Sequence, residues 1–209
     1  MRDLLRLIGQ QLFARRFYLA GGTALALRFG HRRSVDLDFF SEADELEQAT
    51  RNEVLRALAP VHPQSIEDTT GNLLLQALGL HVGFFSYHYA LLEPADQVEN
   101  VVVASMVDIG LMKFDALISR GSRKDFYDLY FIAQQISLAD LLERGPIKYP
   151  HTRDFELMAI ESMVLFENAD QDLQPALFID LPWDQVRQFF ISQAQSLGEK
   201  WFGEENDYV

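Results

Sequence analysis

Two acids stand one residue apart in the stretch Arg33-Ser34-Val35-Asp36-Leu37-Asp38-Phe39-Phe40. In a β-strand, residues two apart project to the same side. Asp36 and Asp38 would then point together, while Val35, Leu37 and Phe39 turn toward a core. Two adjacent carboxylates suit a shared Mg2+ (or Mn2+), a hard cation that takes oxygen ligands and usually binds substrate phosphates as well. Such an ion can activate a hydroxyl and stabilise a departing pyrophosphate. Upstream lies Tyr18-Leu19-Ala20-Gly21-Gly22-Thr23, which reads as a short buried strand, a tight turn and the start of a helix. Glycine permits a positive φ and close approach of a ligand. The unpaired N–H groups of the following helix would then face an anion, which makes a phosphate cradle. Taken singly, a Gly-Gly pair is usually only a turn, and an Asp-x-Asp is usually a solvated strand face. Their order and separation carry the functional reading.

A second group lies far along the chain. Lys113 shares a helix face with Ala116 and Leu117. A lysine in that setting snorkels or pairs with an acid, or in a phosphate site neutralises triphosphate charge. Ser122-Arg123-Lys124-Asp125 fits a helix capping box, and Asp128 would be favoured near the positive end of the same helix. Arg28, His31, Arg32 and Arg33, together with Arg120, Arg123 and Lys124, could form a local basic patch for a nucleotide or RNA backbone. The remaining histidines, His62, His81, His88 and His151, are scattered and show no metal or triad pattern.

With these residues in place, the chain resembles the nucleotidyltransferase superfamily and, more narrowly, the AbiEii/AbiGii-type toxins of bacterial abortive-infection and toxin–antitoxin systems. The resemblance rests on Gly21-Gly22-Thr23, on Arg33 through Phe40, and on Lys113 followed by Lys124-Asp125-x-x-Asp128. It runs from about Phe17 to Phe131. It implies that Gly21, Gly22 and Thr23 contact nucleotide phosphates, with Arg33, Ser34 and Lys124 also on the nucleotide side. It implies that Asp36 and Asp38 hold Mg2+, that Lys113 meets the triphosphate, and that Asp125 or Asp128 assists metal or acceptor placement. The implied reaction moves a nucleoside monophosphate from an NTP to RNA (tRNA-like) or a protein hydroxyl, and a cognate antitoxin would be a partner. One departure stands out. Relatives often place a third carboxylate on a later strand, but here Leu80-His81-Val82-Gly83-Phe84-Phe85-Ser86 holds no acid, and Gly83 sits about where it would be. Asp108, Asp125 or Asp128 could substitute. The alternative is a catalytically degenerate module that binds a nucleotide or a partner.

The elements that must position these residues can be read from periodicity. Leu4–Arg16 reads as an amphipathic helix, Ala24–Phe29 as a short helix capped by Thr23 and closed by Gly30, and Ala43–Ala59 as a further helix. Val35–Phe40 is a strand, Leu73–Leu78 and Leu80–Tyr87 form a hairpin at Gly79, and Val101–Val103 is a short strand. From Ser105 onward the pattern is helical, over Met106–Arg120, Arg123–Gln135, Leu138–Arg144, Arg153–Asn168 and Trp183–Phe202. The expected class is α+β: a nucleotidyltransferase-like small mixed sheet with flanking helices over residues 1–97, followed by a helical region over 98–209.

Composition narrows the function classes. No cysteine is present, which excludes disulfides, thiolate zinc sites and cysteine nucleophiles. With a net charge of −13, the chain lacks a global basic footprint for nucleic acid. Charges interrupt the first residues, and no apolar run approaches the roughly 20 residues of a membrane-spanning helix. The expectation is a soluble, cytoplasmic protein. No Gly-x-x-x-x-Gly-Lys-Ser/Thr loop or kinase signature is present.

Overall fold

The computed structural model describes residues 1–203. Its contacts divide the chain into two units. One comprises Met1–Arg28 with Ser34–Ile109; the other comprises Phe29–Arg33 with Gly110 onward.

The first unit is built on a seven-stranded mixed sheet, with order β3-β4-β5-β2-β1-β7-β6. The strands are β1 (Tyr18–Ala20), β2 (Asp36–Ser41), β3 (Gln64–Thr69), β4 (Asn72–Ala77), β5 (Leu80–Ser86), β6 (Asp96–Val98) and β7 (Val101–Val103). The pairs β2–β5 and β1–β7 are parallel, and the rest are antiparallel. The helices of this unit are α1 (Arg2–Gly9), α2 (Gly21–Phe29), α3 (Gln48–Leu58) and the opening of α4 (Met106–Ser119).

Strand alternation sorts the sheet into two faces. Leu19, Leu37, Phe39, Leu73, Leu75, Val82 and Phe84 are buried on one of them. Phe13, Phe17, Phe39 and Phe84 pack there with ring centroids 4.9–5.8 Å apart along the chain of contacts through Phe84. Burying each such ring stabilises the fold by about 1.5–3 kcal/mol. The other face carries Tyr18, Ala20, Asp36, Asp38, Phe40, His81, Gly83 and Phe85, by the registers Tyr18↔Phe40, Ala20↔Asp38, Asp36↔His81, Asp38↔Gly83 and Phe40↔Phe85.

Several elements differ from expectation. Helix α2 starts at Gly21, so Thr23 lies in its first turn and does not precede it as a cap. Helix α3 starts at Gln48, because the stretch after β2 folds into a turn where Asp44 accepts from the Leu46 amide. Val35 lies before β2 and is 39% exposed, so it does not face the core. Strands β3 and β6 are additional. Every residue of β3 is exposed, as suits a polar edge strand. The hairpin β6–β7 straddles the seam expected at residue 97.

The second unit is helical. It contains the remainder of α4, then α5 (Arg123–Ala133), α6 (Leu138–Leu142), α7 (Gly145–Lys148), α8 (Phe155–Ser162), α9 (Glu167–Gln171) and α10 (Trp183–Phe202). The single helix expected over Arg153–Asn168 is two helices, α8 and α9. Phe126 anchors this core against Phe166, Trp183 and Phe190, with centroids 5.2–5.5 Å away. Helix α10 buries Val186, Phe190 and Leu197, the face its spacing predicts. Among the described residues, no helix is long and apolar enough to cross a membrane.

Candidate active site

The glycine turn and the two acids meet on one sheet face. Gly21 has a φ of +70°, a conformation that L side chains rarely adopt. A Cβ placed on it would stand 3.0 Å from Oδ2 of Asp38. The turn is therefore bare so that the Asp38 carboxylate can lie against it. The first turn of α2 follows directly and directs unpaired backbone N–H groups outward from the turn. Thr23 is 1% exposed. Its hydroxyl donates to the backbone carbonyl of Asp36 and lies 2.8 Å from Oγ of Ser34. That bond braces helix α2 to the start of β2. Thr23 and Ser34 therefore brace the turn through their side chains.

Asp36 and Asp38 sit at alternating, half-buried positions of β2, while Leu37 and Phe39 are buried on the opposite face. The same-side placement read from their spacing holds. Among the described residues, no group of three or more His, Cys, Asp or Glu side chains is arranged to hold a metal ion. The pair still fits Mg2+, which commonly takes one or two carboxylates and completes its octahedron with phosphate oxygens and water.

The neighbouring strand has a glycine where the third acid would stand. Gly83 is the register partner of Asp38. A side chain there would collide with Cε2 and Cζ of Phe85, whose ring lies over the glycine. The space a carboxylate would need is filled by an aromatic ring. His81, two residues earlier, pairs with Asp36, and its Nδ1 lies 3.2 Å from Oδ1 of that carboxylate. Sequence reasoning missed His81. Only the parallel β2–β5 register brings it to Asp36, and nothing in the linear spacing reports that register. Asp108 does not substitute for the third acid: it is fully buried and accepts from the amides of Leu92 and Glu93 and from the hydroxyl of Ser105.

In the helical unit, Lys113, Asp125 and Asp128 form one buried charge cluster. The Lys113 ammonium is 4% exposed and lies 2.7 Å from Oδ1 of Asp125 and 2.7 Å from Oδ2 of Asp128. Arg120 forks onto Asp125 at 2.8 and 2.9 Å. Arg32 forks onto Asp128 at 2.7 and 2.8 Å, and Nε2 of His31 is 2.8 Å from the same carboxylate. Burial alone would lower the Lys113 pKa, but the two carboxylates outweigh it and the net shift is upward. Burial alone would raise the pKa of each acid. Lys113 with Arg120 reverses this for Asp125, and Lys113 with Arg32 and His31 holds Asp128 well below the usual carboxylate range. Lys113, Asp125 and Asp128 therefore stay ionised near neutrality.

This geometry changes three readings. Ser122 occupies the N-cap position of α5 but makes no side-chain cap bond, and Asp125 reaches Lys113 and Arg120 where a capping box had been expected. Asp128 serves as the anchor of the His31–Arg32 segment. The expected basic patch is largely consumed: Arg28 pairs with Asp96, Arg32 is buried, and Arg123 bonds the carbonyls of Ala169 and Asp170. Arg33 and Lys124 remain exposed.

Known proteins resemble the chain at three levels. The family model described as nucleotidyl transferase AbiEii toxin, type IV TA system, matches residues 2–90. The uncharacterized protein aq_aa25 of Aquifex aeolicus (strain VF5) is 34% identical over 179 residues, covering 83% of this chain and 84% of that protein. Among solved structures, MenT4, a nucleotidyltransferase toxin of Mycobacterium tuberculosis H37Rv, superposes with a TM-score of 0.57 at 16% identity, covering 92% of this chain and 82% of that one. JHP933 from Helicobacter pylori superposes with a TM-score of 0.53 at 17% identity, covering 95% and 91%. At those identities the structural matches establish the fold. The sheet, the glycine turn, the paired aspartates and the family match agree: residues 2–90 belong to the AbiEii nucleotidyltransferase toxin family.

Proposed function

We propose that the chain transfers a nucleoside monophosphate from an NTP to a hydroxyl of RNA (tRNA-like) or protein, with Mg2+ or Mn2+, as the toxin of a toxin–antitoxin or abortive-infection system. The observation that carries this is the pair Asp36 and Asp38 beside a glycine turn bare enough to admit the Asp38 carboxylate. The acceptor oxygen bonds to the α-phosphorus, the bond from that phosphorus to the bridging oxygen breaks, and pyrophosphate leaves with the electron pair. The acceptor proton passes to solvent. The divalent ion, when bound, offsets the charge developing on the phosphate oxygens. Asp36 and Asp38 would hold it, and the amides of Gly22 and Thr23 would take phosphate oxygens at the positive end of α2. Thr23 and Ser34 keep the turn and the strand in register. The contact of Arg33 and Lys124 with the nucleotide rests in this reading on the family resemblance alone. Lys113, Asp125 and Asp128 support the reaction by fixing the segment that carries His31 and Arg32.

The test follows pyrophosphate release and α-labelled nucleotide with each NTP, Mg2+ or Mn2+, and total RNA or protein. Label that appears in one acceptor class and is lost in the Asp36→Ala, Asp38→Ala double variant supports transfer. A second reading, nucleotide binding without turnover, is favoured by the Phe85 ring that occupies the third carboxylate's space. It would show as nucleotide binding that the double variant loses, with no label transferred.

A further inference from the structure

The one polar side chain on β5 that reaches the paired acids is an imidazole. At 3.2 Å, the Asp36 carboxylate oxygen accepts from His81 in the tautomer that carries its proton on Nδ1. His81 is about half exposed, at 48% of its side chain, and projects on the sheet face that carries Asp36 and Asp38. Its backbone amide donates to the carbonyl of Val35, so the residue is also fixed at the entrance of β2. The ring is thus held on both its main chain and its side chain against the strand that carries the acids. At a position two residues later, Gly83, a side chain would meet the Phe85 ring unless that ring moved.

We propose that His81 is the positioning residue of the metal centre, orienting the Asp36 carboxylate through its Nδ1–H in place of a third acid on this strand. The proposal rests on the assignment of Asp36 and Asp38 as the metal-holding pair. A carboxylate on an edge of a half-exposed face has two rotatable bonds, and an ion held by only two protein groups depends on their being oriented beforehand. Hydrogen bonds from outer groups commonly change metal affinity by about 10–100-fold. The imidazole acts on Asp36, whereas a third carboxylate would have added charge. A site built this way has net charge one unit less negative than a three-acid centre, so it relies on the triphosphate to complete the ligand set.

The test measures Mn2+ binding by electron paramagnetic resonance, with Mn2+ alone and with Mn2+ plus a non-hydrolysable ATP analogue. The wild-type chain is compared with His81→Ala, His81→Asn and the Asp36→Ala, Asp38→Ala double variant. Asn can present an N–H to the same oxygen, so it separates the hydrogen bond from mere occupancy of the position. The expected result is a 10–100-fold weaker Mn2+ site in His81→Ala. Recovery to within about threefold in His81→Asn is also expected, with melting temperatures unchanged in both. Equal Mn2+ affinity in wild type and His81→Ala, or an Asn variant as weak as the Ala variant, overturns the proposal and leaves the metal pair standing. A wild type that binds Mn2+ no better than the double variant overturns both the proposal and the metal assignment beneath it.

Discussion

Replacing Lys113 with Met removes the cation that sits 2.7 Å from two fully buried carboxylates. Methionine keeps the apolar stem and roughly the volume, so the change isolates the charge. Asp125 retains the half-exposed Arg120, and Asp128 retains Arg32 and His31, but both carboxylates lose the buried ammonium they share. Breaking a buried pair by deleting one partner costs about 3–5 kcal/mol. Relief by protonation reaches a similar figure: taking up one proton at pH 7 on a carboxylate of ordinary pKa near 3.8 costs about 4 kcal/mol at 1.36 kcal/mol per unit. The second route depends on pH. At pH 5 the same proton costs about 1.6 kcal/mol. For a chain of this size, about 4 kcal/mol corresponds to a fall in Tm of roughly 8–16 °C. Thermal melts followed by circular dichroism should therefore show a large Tm deficit for Lys113→Met at pH 7 that narrows markedly at pH 5. If the deficit is under about 2 °C, or the same at both pH values, the ammonium is not holding two buried charges, and its assignment as a structural cation fails. A lysine kept for triphosphate alone would leave the ligand-free Tm nearly unmoved.

Three further outcomes follow from the same geometry. Gly83→Asp should lower stability by about 1–3 kcal/mol, because the new side chain meets the Phe85 ring; adding Phe85→Ala should return most of the loss in chemical denaturation. Gly21→Ala should cost about 1–2 kcal/mol from its positive φ and should reduce Mn2+–nucleotide binding, since the methyl group meets the Asp38 carboxylate. The pH dependence of the helical cluster has a definite sign. The depressed Asp125 and Asp128 contribute stability that is fully present above their unfolded values near 3.8 and lost as pH falls below that. Lys113, raised above 10.5, contributes stability present below that value and lost as pH rises through its folded pKa. Denaturant midpoints should therefore show no loss from this cluster between about pH 5 and pH 9, and a steep fall below pH 4.

The residues legible in the sequence were those whose meaning is local. The alternation around Asp36 and Asp38, the glycine turn before α2, and the hairpin at Gly79 each depend on a few adjacent residues, and the structure has all three. Boundaries moved where a side chain competed with the helix: Asp44 accepts from the Leu46 and Thr50 groups and so delays α3. Strand β3 escaped notice because Gln64-Ser65-Ile66-Glu67-Asp68-Thr69 has no apolar alternation, and an edge strand exposed on both faces needs none. The partners of Lys113 lie on the next helix, and one of them, Asp128, also takes Arg32 from far upstream. Spacing shows that such residues could share a face; only packing shows that they share a charge. His81 was passed over for the same reason, since a parallel register between β2 and β5 leaves no mark on either strand alone.

The segment Phe29–Arg33 lies early in the chain yet belongs to the helical unit, held there by Asp128 and by the bonds from Arg33 to Ala176 and from Phe178 to His31. A cut after Ile109 would therefore not yield two whole pieces. The leading fragment would carry His31 and Arg32 without the aspartate they are buried against, and the trailing fragment would hold an aspartate stripped of its arginine. Inheritance of the two halves is thus coupled: recombination that exchanges the helical part between relatives must preserve a match at positions 31, 32 and 128, even though almost a hundred residues separate them in the gene product.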